Sequence, residues 1–139
     1  MELSEFIAKN PILSGIFVAL IVMWIIHEIQ RYGRRFNEVS PTEAVNLINK
    51  EKAVVLDVRP EVEYKKGHLT NAINIPYQSL GSQATKLQKY KNKPVIVYCR
   101  SGNFSAQACK QLEKEGFEAL HNLRGGIMAW ERDNLILVK

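Results

Sequence analysis

The chain has 139 residues, with 19 lysines and arginines against 14 acidic residues and a formal net charge of +5. This length accommodates one ordinary domain and excludes a two-domain enzyme with a cleft between its halves. Apolar residues make up 46% of the chain and charged residues 24%, which excludes wholesale disorder. Two cysteines are too few for a disulfide framework or a four-cysteine zinc site.

The apolar residues are concentrated near the N-terminus. No residue from Asn10 to Ile26 is charged, and at about 1.5 Å per residue such a helix nearly matches the ~30 Å hydrocarbon core of a bilayer. A cleaved signal peptide needs a basic first region, but Glu2 and Glu5 make this one acidic. A buried helix of a soluble core usually keeps one polar face. Of the three interpretations, the segment favours a single-pass membrane anchor over residues 10–27.

The charges around this segment predict its orientation. Arg31, Arg34 and Arg35 follow it, whereas a single lysine precedes it and is offset by acidic residues. Because basic residues remain on the cytoplasmic side, we expect the N-terminus outside an inner or plasma membrane and the rest of the chain in the cytoplasm. The sequence thus predicts an anchor with a basic juxtamembrane segment over residues 1–36, followed by a cytoplasmic domain over residues 37–139.

Helical and strand patterns alternate along residues 37–139. Ser40, Pro41 and Glu43 form a capping box with proline at the first helical position, which predicts the start of a helix. Strands are predicted at 53–58, 72–75, 94–99 and 119–123, and further helices at 60–66, 79–90, 104–115 and 126–133. This order implies an α/β domain with a mostly parallel central sheet and helices on both faces.

Cys99 ends the most strand-like run of the chain, at the edge of the sheet where α/β proteins bind ligands. A short loop with Gly102 follows, and then a helix begins. The N–H groups of the loop, the helix N-terminus and the charge of Arg100 would all favour a thiolate over a thiol. A buried structural cysteine at a strand end has the same local pattern, so this pattern alone leaves both interpretations open.

Three ordered motifs resemble the rhodanese-homology family of sulfurtransferases. The first comprises Leu56-Asp57-Val58-Arg59, Glu63-Tyr64, Gly67-His68-Leu69 and Ala72-Ile73-Asn74-Ile75-Pro76. The second is Tyr98-Cys99-Arg100-Ser101-Gly102-Asn103, and the third is Gly125-Gly126-Ile127-Met128-Ala129-Trp130. The resemblance covers essentially all of residues 37–139 and implies a single rhodanese-like domain.

The resemblance implies that Cys99 is a nucleophile that carries sulfane sulfur as a persulfide. The sulfur would come from thiosulfate or a persulfide donor and pass to a thiol or cyanide, without a cofactor. Arg100 would help to position an anionic donor, and the substrate-binding loop would continue through Ser101, Gly102, Asn103 and Phe104. The loop from Cys99 to Phe104 has six positions. In this family that length resembles the sulfur-transferring members, whereas the loop of related phosphatases is one residue longer.

Phe104 departs from the family pattern, which usually has arginine at this position. Without that guanidinium group we expect weaker thiosulfate binding and a less depressed pKa of Cys99. A bulky aromatic side chain at the rim could instead favour an apolar or protein-borne donor. A second hypothesis therefore stays open: a catalytically weakened rhodanese-like module that binds a protein partner at the membrane.

The remaining candidate residues have structural interpretations. The resemblance places Asp57 and Arg59 in the framework around the active loop. His68 is predicted to fix a turn, and Cys109 to belong to the core. The histidines, including His121, lack metal-ligand spacing, so no metal site is predicted.

A basic cluster lies at Lys86, Lys89, Lys91 and Lys93. It is typical of a solvated face, and beneath a membrane anchor it could face anionic headgroups. Tyr90 is the one aromatic residue within this cluster, which is too few for a nucleic-acid interface with interleaved aromatic residues, so no nucleic-acid partner is predicted. The predicted partners are the membrane, a sulfur donor, a thiol acceptor and, as a further possibility, another membrane protein.

Overall fold

The structure, a computed structural model, describes residues 2–32 and 36–139. It divides into two compact units, Met1–Arg34 and Arg35–Lys139, which are described separately. Arg34 and Arg35, which contribute to the orientation predicted from the sequence, lie outside the described residues.

The N-terminal unit consists of two helices, α1 (Leu3–Lys9) and α2 (Pro11–Tyr32). Pro11 begins α2 at the first helical position, where the missing N–H has no intrahelical partner to lose. Within α2, Pro11–Ile29 has a mean hydropathy of 2.3 and none of this stretch is buried. By length and composition, this helix could cross a membrane.

The second unit is built on a five-stranded sheet in which every pair of neighbouring strands is parallel. The strands are β1 (Phe36–Val39), β2 (Val54–Asp57), β3 (Ile73–Asn74), β4 (Val95–Tyr98) and β5 (Leu120–Leu123), in the spatial order β1-β5-β4-β2-β3. Because the strands are parallel, all their carboxyl ends lie at one edge of the sheet. This edge therefore receives the loops that follow β2, β4 and β5.

Helices connect the strands and are amphipathic or short. They are α3 (Pro41–Glu51), α4 (Glu61–Lys66), α5 (Leu80–Gln83), α6 (Asn103–Lys114) and α7 (Gly126–Arg132). The predicted start of α3 is confirmed, since Ser40 Oγ accepts a hydrogen bond from the N–H of Glu43 at 3.2 Å. Short 3-10 turns at Tyr77–Ser79 and Ala84–Tyr90 flank α5.

Two elements differ from the prediction. β1 was not predicted, because its four residues hold only two apolar side chains, Phe36 and Val39, and pair only with β5 at the sheet edge. The helix expected over 79–90 is divided between α5 and 3-10 turns. Gly81, Ser82 and Thr85 lower the helix preference of this segment, and its shape follows the buried anchors Leu80 and Leu87.

Apolar side chains cover both faces of the sheet, which confirms the predicted α/β architecture with a parallel central sheet and helices on both faces. Val95 and Val97 of β4 lie on the same face of the sheet as Leu112 of α6, and this face is called here the α6 face. Ile96 and Tyr98 lie with residues of α3 and α7 on the other face, the α3 face. The continuous burial of β4 explains why its sequence lacks polar alternation.

A buried ion pair lies at the carboxyl edge of β2. Asp57 is fully buried and accepts bonds from Arg59, including an Nη2–Oδ2 contact of 2.7 Å, and from the hydroxyl of Tyr98 at 2.6 Å. Arg59 also donates to the carbonyl of Gly67, and the hydroxyl of Tyr98 accepts from the N–H of Leu69. The cluster thus joins β2, β4 and the loop after α4.

We expect Tyr98→Phe to lower the free energy of unfolding by about 1–3 kcal/mol, because it leaves the buried Leu69 N–H without its partner and removes a donor from Asp57. Urea unfolding of the full-length chain in detergent measures this loss. Tyr90→Phe is the matched control, since Tyr90 is only half-buried, and should change stability by less than about 0.5 kcal/mol. Equal losses in the two variants would contradict this account.

Candidate active site

Cys99 follows the last residue of β4 and points to the α6 face of the sheet. The residue is only 3% exposed. Gly102, with φ of +101°, ends the loop and precedes the first residue of α6. The sequence prediction of strand, cysteine, loop and helix in direct succession therefore holds.

Hydrogen-bond donors surround the sulfur of Cys99. The N–H groups of Gly102 and Ser105 lie 3.1 and 3.4 Å from Sγ, measured from nitrogen, and the N–H of Ser101 also contributes. The hydroxyl oxygen of Ser105 lies 3.3 Å from Sγ. We call these groups of Ser101, Gly102 and Ser105 the sulfur cradle.

The start of α7 determines which way the loop peptides face. The N–H groups of Ile127 and Met128 donate to the carbonyls of Cys99 and Arg100 at 2.9 and 3.3 Å. In a trans peptide the C=O and the next N–H point in opposite directions, so turning the Arg100 carbonyl toward α7 turns the next N–H toward the sulfur. Gly126 permits this approach, since a Cβ there would overlap both loop carbonyls.

The cradle favours the thiolate form of Cys99. Burial by itself raises the pKa of this thiol, but the hydrogen bonds from the Ser105 side chain and from the N–H groups of Ser105, Gly102 and Ser101 outweigh it. The pKa of Cys99 is therefore below its ordinary value. A thiolate is the nucleophilic form of cysteine, so the arrangement can support nucleophilic attack.

Two polar residues behind the cradle were not predicted. Asn122 on β5 is 2% exposed, accepts from the Ser105 hydroxyl at 2.5 Å and donates to the Gly102 carbonyl at 3.1 Å. Its Nδ2 also donates to the carboxylate of Glu38 on β1 at 3.1 and 3.2 Å. The signal available in the sequence was an asparagine in a predicted strand, between His121 and Leu123, because a buried amide needs hydrogen-bond partners.

The other predicted loop residues lie at the surface. The side chains of Arg100, Ser101 and Asn103 are exposed. Phe104 is 60% exposed, and its ring centroid lies 5.8 Å from that of Tyr77. The loop therefore presents one cationic and one aromatic side chain to solvent above a buried sulfur.

Comparison with known proteins assigns the family. A family model described as "Rhodanese-like domain" matches residues 40–133. The chain belongs to the rhodanese-like sulfurtransferase family. This agrees with the three motifs in the sequence and with the parallel sheet around Cys99.

The chain is also similar to individual proteins over much of its length. The chain is 34% identical to the Escherichia coli "Uncharacterized protein YibN" over 99% of its own length and 97% of that protein's. It is 32% identical to the "Thiosulfate sulfurtransferase GlpE" of Coxiella burnetii over 69% of this chain and 88% of that protein. A rhodanese-related protein from Thermoplasma volcanium superposes with a TM-score of 0.66 at 29% identity, over 73% of this chain and 97% of that one.

The framework residues of the rhodanese-like domain lie on the opposite face from Cys99. The Asp57–Arg59 pair holds Tyr98, the residue directly before the cysteine, and does not itself contact the sulfur among the contacts described. His68 stacks on Tyr64, with ring centroids 3.8 Å apart, and its Nδ1 lies 2.8 Å from the Tyr64 carbonyl. These contacts hold the turn after α4.

The remaining cysteine and histidine differ from Cys99 in their surroundings. Cys109 on α6 is fully buried in the core, and burial, followed by the charges of Glu38 and Glu113, raises its pKa. His121 on β5 is half-buried, and burial lowers its pKa. The lowered pKa of Cys99 thus comes from its cradle, because the neighbouring buried thiol shows the opposite shift.

We expect iodoacetamide to alkylate Cys99 with a pH midpoint below the ordinary thiol value of about 8.5, because the cradle stabilises the thiolate. Below that midpoint the reactive thiolate is lost and the rate falls. Alkylation of the folded chain, followed over pH and localised by peptide mass, measures this. Cys109 is the internal control and should react only after unfolding. A Cys99 midpoint at or above about 8.5 would contradict the account.

Proposed function

We propose that this protein is a membrane-anchored sulfurtransferase that carries sulfane sulfur on Cys99. The observation that carries the proposal is the sulfur cradle, in which Gly102 and Ser105 direct N–H groups to Cys99 Sγ at 3.1 and 3.4 Å. Such donors stabilise both a thiolate and the anionic outer sulfur of a persulfide. The relative named thiosulfate sulfurtransferase supports the same reaction class.

The proposed reaction has two displacements at sulfur. The Cys99 thiolate attacks the outer sulfur of thiosulfate, an S–S bond forms, and the bond to the sulfonate sulfur breaks to release sulfite. An acceptor thiolate then attacks the outer sulfur of the Cys99 persulfide, which regenerates the Cys99 thiolate and yields the acceptor persulfide. A persulfide donor would replace thiosulfate in the first step and leave as a thiolate. Neither step needs a cofactor, because no net electrons enter or leave.

The membrane anchor is supported by α2. The stretch Pro11–Ile29 carries no charged residue before Glu28, so most of it lacks the charged face of a helix that packs on a soluble core. The match to YibN extends over 99% of this chain and thus includes this stretch. We propose that α2 spans an inner or plasma membrane with the rhodanese-like domain in the cytoplasm, where thiols stay reduced.

We expect incubation with thiosulfate to add one sulfur atom to the wild-type chain and none to Cys99→Ser, as measured by intact mass. The serine oxygen cannot form the persulfide. Cys109→Ala is the matched control, and it should gain sulfur like the wild type. Sulfur addition to Cys99→Ser, or no addition to the wild type, would contradict catalysis through Cys99 with this donor.

An alternative function is favoured by Phe104. Its ring is 60% exposed beside the loop, at the position where the family resemblance implies arginine. An exposed apolar group at this place fits a rhodanese-like module that binds a protein partner at the membrane. That function requires no thiolate, so Cys99→Ser would retain every partner captured by crosslinking in cells.

We expect Phe104→Arg to raise kcat/KM for thiosulfate about 10- to 100-fold, because the guanidinium supplies a charged donor for the anionic substrate. Val62→Arg is the control, since it adds the same charge at an exposed apolar position on α4. Steady-state assay of both variants in detergent provides the comparison. No rise for Phe104→Arg, or an equal rise for Val62→Arg, would show that the missing arginine does not limit anion binding.

We expect a C-terminal tag to be digested by protease only in inverted membrane vesicles, and an N-terminal tag only in intact spheroplasts. This result follows from the flanking arginines under the positive-inside rule. The opposite pattern would reverse the proposed orientation. Loss of the N-terminal tag during biosynthesis would identify a cleaved signal sequence instead.

A further inference from the structure

The hydrogen-bond partners of the Asn122 side chain permit only one orientation of its carboxamide group. Its Nδ2 faces the two carboxylate oxygens of Glu38 at 3.1 and 3.2 Å and the carbonyl of Gly102 at 3.1 Å. All three atoms are hydrogen-bond acceptors. Exchanging the amide oxygen and nitrogen would place Oδ1 against them, so the carboxamide is held with Oδ1 toward the hydroxyl of Ser105.

The sheet and α6 bring these residues together. Glu38 and Asn122 are direct partners in the parallel register of β1 and β5, so their side chains lie on the same face. Leu120, two residues before Asn122, lies on the α6 face, which places Asn122 beneath the first turn of α6. Ser105 lies in that turn and is fully buried.

Ser105 has one hydroxyl proton and two candidate acceptors. Its Oγ lies 2.5 Å from Asn122 Oδ1 and 3.3 Å from Cys99 Sγ. While Cys99 is a thiol, the proton can remain on the short bond to Asn122 and the S–H can donate to Ser105. Once Cys99 becomes a thiolate, the hydroxyl can stabilise it only by turning away from Asn122.

We propose that Asn122 is a positioning residue that competes with the Cys99 sulfur for the Ser105 hydroxyl proton and thereby limits how strongly the sulfur cradle stabilises the thiolate. This competition balances the fraction of Cys99 that is ionised against the nucleophilicity of its thiolate. A thiolate becomes less nucleophilic as the pKa of its thiol falls, so an unopposed cradle would hold a less reactive sulfur.

Removing the acceptor should leave no buried polar group without a partner. In Asn122→Leu, the Gly102 carbonyl keeps its bond from the N–H of Ala106, and the Ser105 hydroxyl keeps the sulfur as an acceptor. The Glu38 side chain is exposed and can turn to water. The variant therefore isolates the competition for the hydroxyl proton.

The same ionisable groups are present in every variant of the comparison. Arg100 lies in the loop, and the charges of Glu38 on β1 and Glu113 on α6 act on the buried Cys109. Any turn of Glu38 toward water on loss of Asn122 occurs in both Ser105 backgrounds. The remaining thiol, Cys109, is replaced by alanine in every chain tested, so that only Cys99 reacts. Differences between variants then report on Asn122 and Ser105.

The test is a double-mutant cycle of Asn122→Leu and Ser105→Ala in the full-length chain, read as the pH midpoint of Cys99 alkylation by iodoacetamide. With Ser105 present, Asn122→Leu should lower the midpoint by about 0.5–1 pH unit, because the freed hydroxyl now donates to a charged sulfur. With Ser105→Ala, the same substitution should leave the midpoint unchanged, because no hydroxyl remains to compete for.

Each other result would overturn the proposal. A midpoint that rises in Asn122→Leu would mean that Asn122 only supports the loop. An unchanged midpoint, or an equal fall in both Ser105 backgrounds, would mean that Asn122 does not act through the hydroxyl. If circular dichroism shows that the leucine variant is unfolded, Asn122→Ala removes the same acceptor without added bulk and carries the same expectations.

The inference rests on the proposed role of Cys99 as the nucleophile, but its test does not require sulfur transfer. Iodoacetamide reacts with the thiolate whether or not thiosulfate is a substrate. Absence of sulfur addition together with the expected midpoint shift would refute the proposed function and leave the role of Asn122 standing. The reverse combination would refute the role of Asn122 alone.

Discussion

The edge of the sheet at which the strands end depends on the hydrogen bonds that the buried Asp57 carboxylate accepts. This carboxylate is fully buried, and its oxygens accept bonds from Arg59 and from Tyr98. Breaking a buried ion pair leaves an uncompensated charge, which costs about 3–5 kcal/mol. Because Arg59 also reaches the carbonyl of Gly67, this one carboxylate ties the ends of two strands to the loop after α4. The cysteine thus begins its loop from a strand end that is held in place.

The active loop is fixed from two further directions. On one side, α7 takes the carbonyls of Cys99 and Arg100, which leaves the loop N–H groups directed to the sulfur. On the other side, Asn122 contacts both Gly102 and Ser105, so the loop and α6 are held by the same amide. The proposed alternation of Cys99 between thiolate and persulfide requires donors that are already in place, because donors that must reorganise stabilise charge less. The fold holds these donors in place because α6, α7 and β5 all contact the four loop residues 99–102.

Much of the fold could be predicted because its signals are local. Nearby residues specify several elements: the capping box at Ser40 begins α3, the β-branched run forms β4, and Gly116 follows the end of α6. β1 could not be predicted in this way, since four residues with two apolar side chains become a strand only by pairing with β5. The segment 79–90 likewise takes its shape from the burial of Leu80 and Leu87, which is a tertiary effect.

The sequence by itself determined the order of strands and helices from α3 onward, the place of Cys99 at a strand end and the family resemblance from which its proposed role as a sulfur carrier follows. It did not reveal Ser105, Asn122 and Glu38 as parts of one site, because they come from α6, β5 and β1 and are distant in the chain. Parallel register sets Glu38 beside Asn122, and the packing of α6 on that face sets Ser105 above both. A hydrogen bond depends on distances of a few tenths of an ångström between such residues, and only the tertiary structure decides these distances.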